Sequence, residues 1–190
     1  MPPKYFQFIK PTKNSNDCNF SLIFALKYTN KRGSSTLLKI RYMTHELYMR
    51  KALEEASLAE EEGEIPVGAI VVCKGKIIAR AHNQTERLND VTAHAEMVAI
   101  TMAAATGAPA ALGGKYLNEC TLYVTLEPCT MCAGAMAWAQ LGELVYGASD
   151  SQRGFSRLSP AVLHPRTKIT SGILEPECSE PVKRFFQKRR

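Results

Sequence analysis

The chain has 190 residues, of which 45% are apolar and 22% charged, a composition typical of one globular domain of ordinary size. No apolar run approaches the roughly 18–20 residues that a membrane-spanning helix needs. The net charge of +6 does not describe a basic domain, because residues 1–42 alone contribute +7 and the remainder is slightly acidic.

Residues 1–42 differ in character from the rest of the chain. They are rich in Lys, Asn and Ser, and they end in the loop-like stretch 30–35. Their apolar run has no small-residue cleavage site after it, so it does not indicate a signal peptide. We predict that residues 1–42 are a poorly ordered extension or lie upstream of the true start at Met43. We predict that residues 43–190 form the functional domain.

The regular part of the chain begins with a predicted helix. Thr44 is a plausible N-cap, with Glu46 in the first turn, and Gly63 is expected to end this helix. Two β-rich runs follow at 67–73 and 76–82, and the Lys74-Gly75 pair between them predicts a hairpin. Residues 94–105 are predicted to form the second helix.

The second half of the chain continues the alternation of helices and strands. We predict a strand at 121–126, a helix at 129–140, a strand at 143–148, a loop at 149–166, a strand at 168–174 and a helix at 178–188. The order α-β-β-α-β-α-β-β-α predicts an α/β fold with a five-stranded mixed sheet and helices on both faces.

Two fragments contain residues suited to bind a metal. His94-Ala95-Glu96 opens the second helix, and Pro128-Cys129-Thr130-Met131-Cys132 opens the third. Residues three apart share one helix face, and a helix N-terminus favours the thiolates that zinc requires. With neutral His94 as third ligand, three protein ligands leave a fourth position for water, the arrangement of a catalytic zinc site.

Glu96 is two residues beyond His94 and is placed to carry protons rather than to share the metal. A lone C-x-x-C is also found in redox pairs and in half of a zinc ribbon, and a lone His at a helix start is usually structural. A second C-x-x-C is absent from the sequence, and the pair follows a later strand than it does in thioredoxin-like folds. The combination H-x-E…P-C-x-x-C is the signature of zinc nucleobase deaminases.

These motifs, with several others, resemble the cytidine deaminase-like superfamily, and within it the bacterial tRNA-specific adenosine deaminases. The resemblance spans residues 43–190. It rests on the stretches 65–69, 92–96, 122–136, 145–148 and 172–174, together with Asn83, Asp150 and Phe185-Phe186 before a basic tail. It implies a three-layer α/β/α sandwich and one Zn²⁺ in each subunit of a cytoplasmic homodimer. The apolar, small-residue helix 133–139 is a candidate contributor to the dimer.

The implied reaction is hydrolysis of adenosine to inosine at the wobble position of a tRNA anticodon. Zinc-bound water is the nucleophile, attacking C6 of adenine, and Glu96 shuttles protons to N1 and the departing amine. Asn83 and the backbone N–H of Ala95 are implied to position the base, and Asp150 to contact the nucleotide. For Asn83 and Asp150, capping of a turn is the alternative.

The C-terminal end is predicted to contact RNA phosphates. From Tyr146 onward there are nine basic residues and four acids, a pattern compatible with polyanion binding and equally with a solvated helix end. The predicted RNA-contact residues are Lys183, Arg184, Phe186 and Lys188, with packing as the alternative role of Phe185 and Phe186.

The sequence departs from the family in three places. Val91 replaces a proline found in many relatives, the segment 154–165 is shorter than the usual loop, and residues 1–42 have no counterpart. A deaminase of free guanine or cytosine remains the alternative function, because it would keep the same zinc residues. A zinc module that only binds a partner is disfavoured because it would not need Glu96.

Overall fold

A computed structural model describes residues 33–106, 115–157 and 162–189, and for residues 33–41 it describes the helical backbone alone. The chain divides into two compact units, residues 1–39 and 40–190, and the second unit contains the whole sheet. The prediction that residues 1–42 are a poorly ordered or upstream extension falls mostly on residues 1–32, which lie outside the described residues.

The described residues form four α-helices and five β-strands. The helices are α1 (Gly33–Glu61), α2 (Ala95–Ala105), α3 (Thr130–Trp138) and α4 (Glu175–Gln187). The strands are β1 (Gly68–Cys73), β2 (Lys76–His82), β3 (Cys120–Leu126), β4 (Glu143–Ala148) and β5 (Lys168–Thr170). Among these helices there is none long and apolar enough to cross a membrane.

The strands form one mixed sheet in the order β2-β1-β3-β4-β5. β1 is antiparallel to both β2 and β3, whereas β3, β4 and β5 run parallel. The Lys74-Gly75 turn has positive φ at both residues, 50° and 76°, as a two-residue hairpin of type I′ requires. The predicted order of elements and the five-stranded mixed sheet are therefore confirmed.

Both faces of the sheet are covered by helices, which gives the predicted three layers. Alternate strand residues such as Val71, Leu122 and Leu144 pack with α2 and α3 in one buried cluster. Their neighbours along the strands, such as Ile70, Tyr123 and Val145, pack with α1 and α4 in a second cluster. Because successive strand residues point to opposite faces, strands buried on both faces are almost continuously apolar.

Three predicted boundaries are wrong. Helix α1 begins at Gly33, so Thr44 lies inside it and is not its N-cap; threonine followed by an acid is compatible with a helix interior as well as with a start. The last strand ends at Thr170 and not at 174, because Gly172 and Leu174 have φ of 79° and 54°. These left-handed residues turn the chain out of the sheet, and α4 begins at Glu175, three residues earlier than predicted.

A glycine sets the distance between α1 and the sheet. A Cβ on Gly68 would collide with the backbone carbonyl oxygen of Ala52 and the backbone nitrogen of Ala56 in α1. We expect Gly68→Ala to lower the free energy of unfolding by about 1–3 kcal/mol, because backbone atoms cannot move aside as a side chain can. Urea unfolding followed by circular dichroism measures this.

Gly134→Ala in α3 is the matched control, because a Cβ there meets no atom within 4 Å. Alanine favours a helix over glycine by roughly 0.5–1 kcal/mol, so this variant is expected to be at least as stable as the parent. Equal destabilisation of the two variants would contradict the assignment of Gly68 as a close-approach position.

Candidate metal and catalytic site

Two helix N-termini supply the three predicted metal ligands. His94 is the N-cap of α2 and Cys129 is the N-cap of α3, while Cys132 lies in the first turn of α3. N-cap side chains commonly fold back onto the first N–H groups of their helix. Neither His94 nor Cys129 does so, and both side chains point instead toward each other.

The three ligand atoms converge on one point. The Nδ1 atom of His94 is 3.6 Å from Cys129 Sγ and 3.5 Å from Cys132 Sγ, and all three ligand atoms lie within 4.8 Å of one another. Tetrahedral zinc with ordinary Zn–N and Zn–S bonds separates these atoms by about 3.6 Å. One imidazole and two thiols in this arrangement fit zinc by both chemistry and size. Among the described residues no other three His, Cys, Asp or Glu side chains bring their ligand atoms this close together.

Hydrogen bonding between Cys129 and Cys132 shifts the pKa values of the two thiols in opposite directions. A hydrogen bond from Cys132, reinforced by one from His94, lowers the pKa of Cys129 to about 4. The same contact with Cys129, together with burial, raises the pKa of Cys132 far above its usual range. The Cys129 thiolate also raises the pKa of His94. The two thiols thus do not ionise together, whereas a divalent cation would stabilise both thiolates.

Glu96 is buried beside this cluster, with 4% of its surface exposed. Burial is the main cause that raises the pKa of its carboxyl group, and the neighbouring His94 and a hydrogen bond with Cys132 only partly oppose this. A buried carboxyl group with a raised pKa holds a proton more readily than a free carboxyl group, which suits a general acid and base.

His94, Glu96 and Cys129 line an open cavity of about 640 Å³. The cavity lies where β3 and β4 end, at Leu126 and Ala148, which is the edge at which α/β sheets commonly bind ligands. This volume falls within the range of roughly 300–1,000 Å³ found for small-molecule sites. The cavity is therefore large enough for one nucleobase with its sugar.

Asn83 lies 5% exposed at the wall of this cavity. Its Oδ1 accepts a hydrogen bond of 2.9 Å from the backbone N–H of Ala95, the first residue of α2. Asn83 thus caps α2, a role close to the turn-capping alternative. Because the oxygen is fixed in this way, the Nδ2 donor is oriented away from Ala95. The Ala95 N–H that was expected to position the base is used by Asn83.

Asp150 also lines the cavity, and its Oδ1 accepts backbone N–H groups from Gln152 at 2.8 Å and Arg153 at 3.0 Å. This is the turn-capping role named as the alternative for Asp150. It holds the loop that follows β4 in a tight turn at the mouth of the cavity.

Glu127, to which the sequence analysis assigned no role, anchors the same loop. The Glu127 carboxylate is 4% exposed and accepts N–H groups from Asp150 at 3.0 Å and Ser156 at 3.1 Å. A Cβ on Gly154 would collide with the Glu127 carboxyl carbon, so this glycine lets the loop lie directly on the carboxylate. The sequence feature that could have indicated this role is an acidic residue directly after a buried strand.

The predicted RNA-contact residues of α4 divide into two pairs. Lys183 and Phe186 line the cavity. Arg184 instead binds Glu60 of α1 through a forked pair of contacts at 2.6 and 3.2 Å, and Lys188 lies 3.8 Å from the same carboxylate. Phe185 is buried at 7% exposure, whereas Phe186 is 48% exposed.

Arg153 is a cavity residue that sequence reasoning missed, because nothing in its local pattern distinguishes it. Within the segment 154–165, residues 155–157 form a 3₁₀ turn that buries Phe155 against Tyr146. Residues 158–161 lie outside the described part of the chain. Val91 is 85% exposed, away from the core.

The sequence is similar to those of known zinc-binding deaminases, in agreement with the metal-binding geometry of the site. Residues 43–148 match the family model of the cytidine and deoxycytidylate deaminase zinc-binding region. The chain is 44% identical over 150 residues to the tRNA-specific adenosine deaminase of Bacillus subtilis, covering 76% of this chain and 90% of that protein. It is 43% identical over 148 residues to the corresponding protein of Agrobacterium fabrum, covering 75% and 94%.

Solved structures give the same result. A chain from a study of A-to-I editing by tRNA:A34 deaminases is 44% identical, with a TM-score of 0.62 over 70% of this chain and 96% of that one. Guanine deaminase from Bacillus subtilis is 39% identical, with a TM-score of 0.50 over 55% and 64%. The chain is therefore a member of the zinc-binding family of cytidine and deoxycytidylate deaminases, as the resemblance of its motifs implied.

Proposed function

We propose that this protein is a tRNA adenosine deaminase that hydrolyses adenosine to inosine at the wobble position of an anticodon. The observation that carries the proposal is the buried Glu96 carboxyl beside the His94, Cys129 and Cys132 cluster, at the wall of a cavity of nucleoside size. The relatives from Bacillus subtilis and Agrobacterium fabrum, which match three quarters of the chain, support tRNA as the substrate.

The metal and the residues of the site have separate roles in the reaction. When bound, the zinc polarises a water molecule and makes it a nucleophile at neutral pH. Glu96 accepts a proton from the attacking water and delivers protons to purine N1 and to the departing amine. The products are inosine and ammonia. A base displaced from an anticodon loop can enter such a pocket without the cost of opening a duplex.

Asn83 is proposed to orient the base with its Nδ2 donor. Its Oδ1 is committed to Ala95, so the amide cannot rotate without breaking the cap of α2. A donor fixed before the substrate binds pays no ordering cost on binding. Asp150 and Glu127 are proposed to act by shaping the loop that borders the nucleotide, since their carboxylates hold backbone N–H groups of that loop.

RNA contact is proposed for Lys183 and Phe186, which line the cavity. Lys183 lies 3.3 Å from the Ser179 hydroxyl and has no carboxylate partner among the described residues, so its charge is available to phosphate. The exposed Phe186 ring offers a surface on which an unpaired base can stack. Arg184 and Lys188 are less suited to this role because both lie against the Glu60 carboxylate.

A homodimer located in the cytoplasm is proposed as the working form. Trp138 at the end of α3 is 87% exposed and Val91 is 85% exposed. A large exposed aromatic side chain is typical of an association surface. A tRNA substrate and the metal-binding cysteine pair both suit a reducing compartment.

Glu96→Gln is expected to lower inosine formation in tRNA by about 10²–10⁴-fold, because glutamine cannot carry the proton. Bulk bacterial tRNA is incubated with the purified protein, and inosine is quantified in the nucleoside digest by mass spectrometry. Elemental analysis of zinc in the same samples is expected to show full occupancy in the variant.

Glu64→Gln is the matched control for this experiment. Glu64 is also buried, at 1% exposure, but it holds the loop after β2 through the N–H groups of Glu86 and Arg87 and does not line the cavity. Activity similar to the parent is expected. Unchanged tRNA together with ammonia release from free guanine, cytosine or adenosine would overturn the substrate assignment and leave the zinc chemistry intact.

Asn83→Asp tests the positioning role of the amide. Aspartate keeps an oxygen for the Ala95 N–H but removes the Nδ2 donor, so the fold and zinc content should be retained. We expect kcat/KM for tRNA to fall by roughly 10²-fold or more, the usual cost of an unpaired group in a specific site. Asn83→Ala removes both functions and should also lower the midpoint of thermal unfolding. Parent-like kinetics for Asn83→Asp would show that Asn83 acts as a helix cap alone.

Lys183→Ala and Arg184→Ala form a matched pair on adjacent positions of α4. We expect Lys183→Ala to raise the KM for tRNA roughly fivefold and to lower the slope of log affinity against log salt by about one. Arg184→Ala should leave this slope unchanged, because its charge is balanced by Glu60. Steady-state kinetics and filter binding at several salt concentrations measure both. Equal effects of the two variants would refute the proposal that Lys183 contacts RNA while Arg184 does not.

A further inference from the structure

We propose that Cys73 and Cys120 are a site of reversible oxidative modification and form a disulfide with each other when the protein meets hydrogen peroxide. The pair does not belong to the metal cluster, and the inference does not depend on the proposed function. Cys73 is the last residue of β1 and Cys120 is the first residue of β3. The two residues lie directly opposite each other in the antiparallel pairing of these strands.

The backbone hydrogen bonds bring the two side chains into close approach. Cys73 flanks the two-residue type I′ turn and pairs with Lys76 across it. In such a hairpin the backbone N–H and C=O of the flanking residue bond to the partner strand, so those of Cys73 point toward β2 and away from β3. The Cys120 N–H donates to the carbonyl of Leu117 at 2.9 Å, in the loop before β3. Cys73 and Cys120 are therefore a non-hydrogen-bonded pair, for which Cα atoms lie about 4.5 Å apart, within the range that a disulfide accepts.

The side chains also face the same way. Both cysteines belong to the buried cluster between the sheet and helices α2 and α3. Burial, together with the neighbouring Cys73 thiol, raises the pKa of Cys120 to about 12. Both are free thiols with 5% and 2% of their surface exposed. An open cavity of about 400 Å³ lined by Cys120, Gln140 and Arg166 gives a small oxidant a route to this end of the sheet.

The chemistry balances with one equivalent of peroxide. One sulfur, as its thiolate, attacks the O–O bond and becomes a sulfenic acid, and the hydroxide released takes up the proton lost from the thiol. The second sulfur then attacks the sulfenic sulfur, the S–S bond forms, and the second oxygen leaves as water. Two thiols are oxidised to one disulfide, and the peroxide is reduced to two waters. The raised pKa of Cys120 makes the reaction slow, because the thiolate is the reactive form.

The cross-link should leave the metal site unchanged. Cys120 and Leu126 stand at opposite ends of β3, about 20 Å apart at the usual rise per strand residue, and Leu126 borders the catalytic cavity. The disulfide would close the loop of chain between β1 and β3 and thereby restrict the unfolded state. The oxidised protein is expected to unfold at a temperature several degrees higher and to keep its zinc.

The test treats the zinc-loaded full-length protein with hydrogen peroxide, with glutathione in the same solution as an internal standard. Free thiols are then alkylated, and the peptides are mapped by mass spectrometry without reduction. We expect a cross-linked peptide containing Cys73 and Cys120, lighter than the sum of its parts by two hydrogen atoms. The cross-link should disappear after dithiothreitol. Cys73→Ser and Cys120→Ser should each abolish it and the rise in unfolding temperature.

Cys178 is the matched control inside the same molecule. It is also buried, and burial raises the pKa of its thiol to about 12, but its sulfur hydrogen-bonds to the Ile173 carbonyl oxygen and not to another cysteine. Cys178 should stay reduced while the pair reacts. The inference is overturned if both thiols remain free after all glutathione is oxidised. It is also overturned if Cys178 reacts at the same rate, or if sulfinic acids form in place of the cross-link. Peptide mapping of the parent protein decides even if a serine variant fails to fold.

Discussion

The convergence of two helix N-termini on one point is the constraint on which the rest of the structure depends. His94 begins α2 and Cys129 begins α3, and their ligand atoms meet within 4.8 Å only if both helices lie close together on the same face of the sheet. Alanines permit this approach: Ala95, Ala99 and Ala103 form the buried face of α2. Small side chains let helix backbones approach closely, at the cost of contact area that larger residues would provide.

Three buried glutamates differ in the contacts that their carboxylates make. Glu64 and Glu127 each accept two loop N–H groups, which compensates the cost of burying a carboxylate. Glu96 is equally buried, but its neighbours leave its pKa raised. Glu127 holds the loop at the mouth of the cavity and Glu64 holds the loop after β2, which are structural roles, whereas Glu96 is proposed to exchange a proton. The same residue type thus serves two purposes, according to the donors around it.

The charge clusters of the sequence have a structural explanation. The acids of α1 and of the residue after it face basic residues from distant segments: Glu60 binds Arg184, Glu62 binds Arg87, and Glu54 contacts Arg80. These pairs are partly exposed, so each adds little stability. The Glu60–Arg184 pair joins α1 to α4 and turns the Arg184 side of α4 toward α1. Lys183, one residue from Arg184, is left beside the cavity.

The sequence by itself determined the order of elements and the fold class, and it identified the three candidate metal ligands and the candidate proton carrier. Each of these rests on a local pattern, either the alternation of buried strands or the spacing of His94, Glu96, Cys129 and Cys132 at helix starts. Local spacing was less reliable at the start of α1, which lies at Gly33, and at the end of β5, where two left-handed residues turn the chain out of the sheet.

Only the tertiary structure decided which residues meet across long distances in the chain. Asn83 caps α2, Glu127 holds the loop at Asp150, Arg184 turns to Glu60, and Cys73 stands opposite Cys120. None of these pairings has a periodicity that a sequence can display, because each depends on strand register and helix packing. The ligands of a metal can be recognised from their chemical type, but the partner of an amide, an arginine or a thiol depends on where the fold places it.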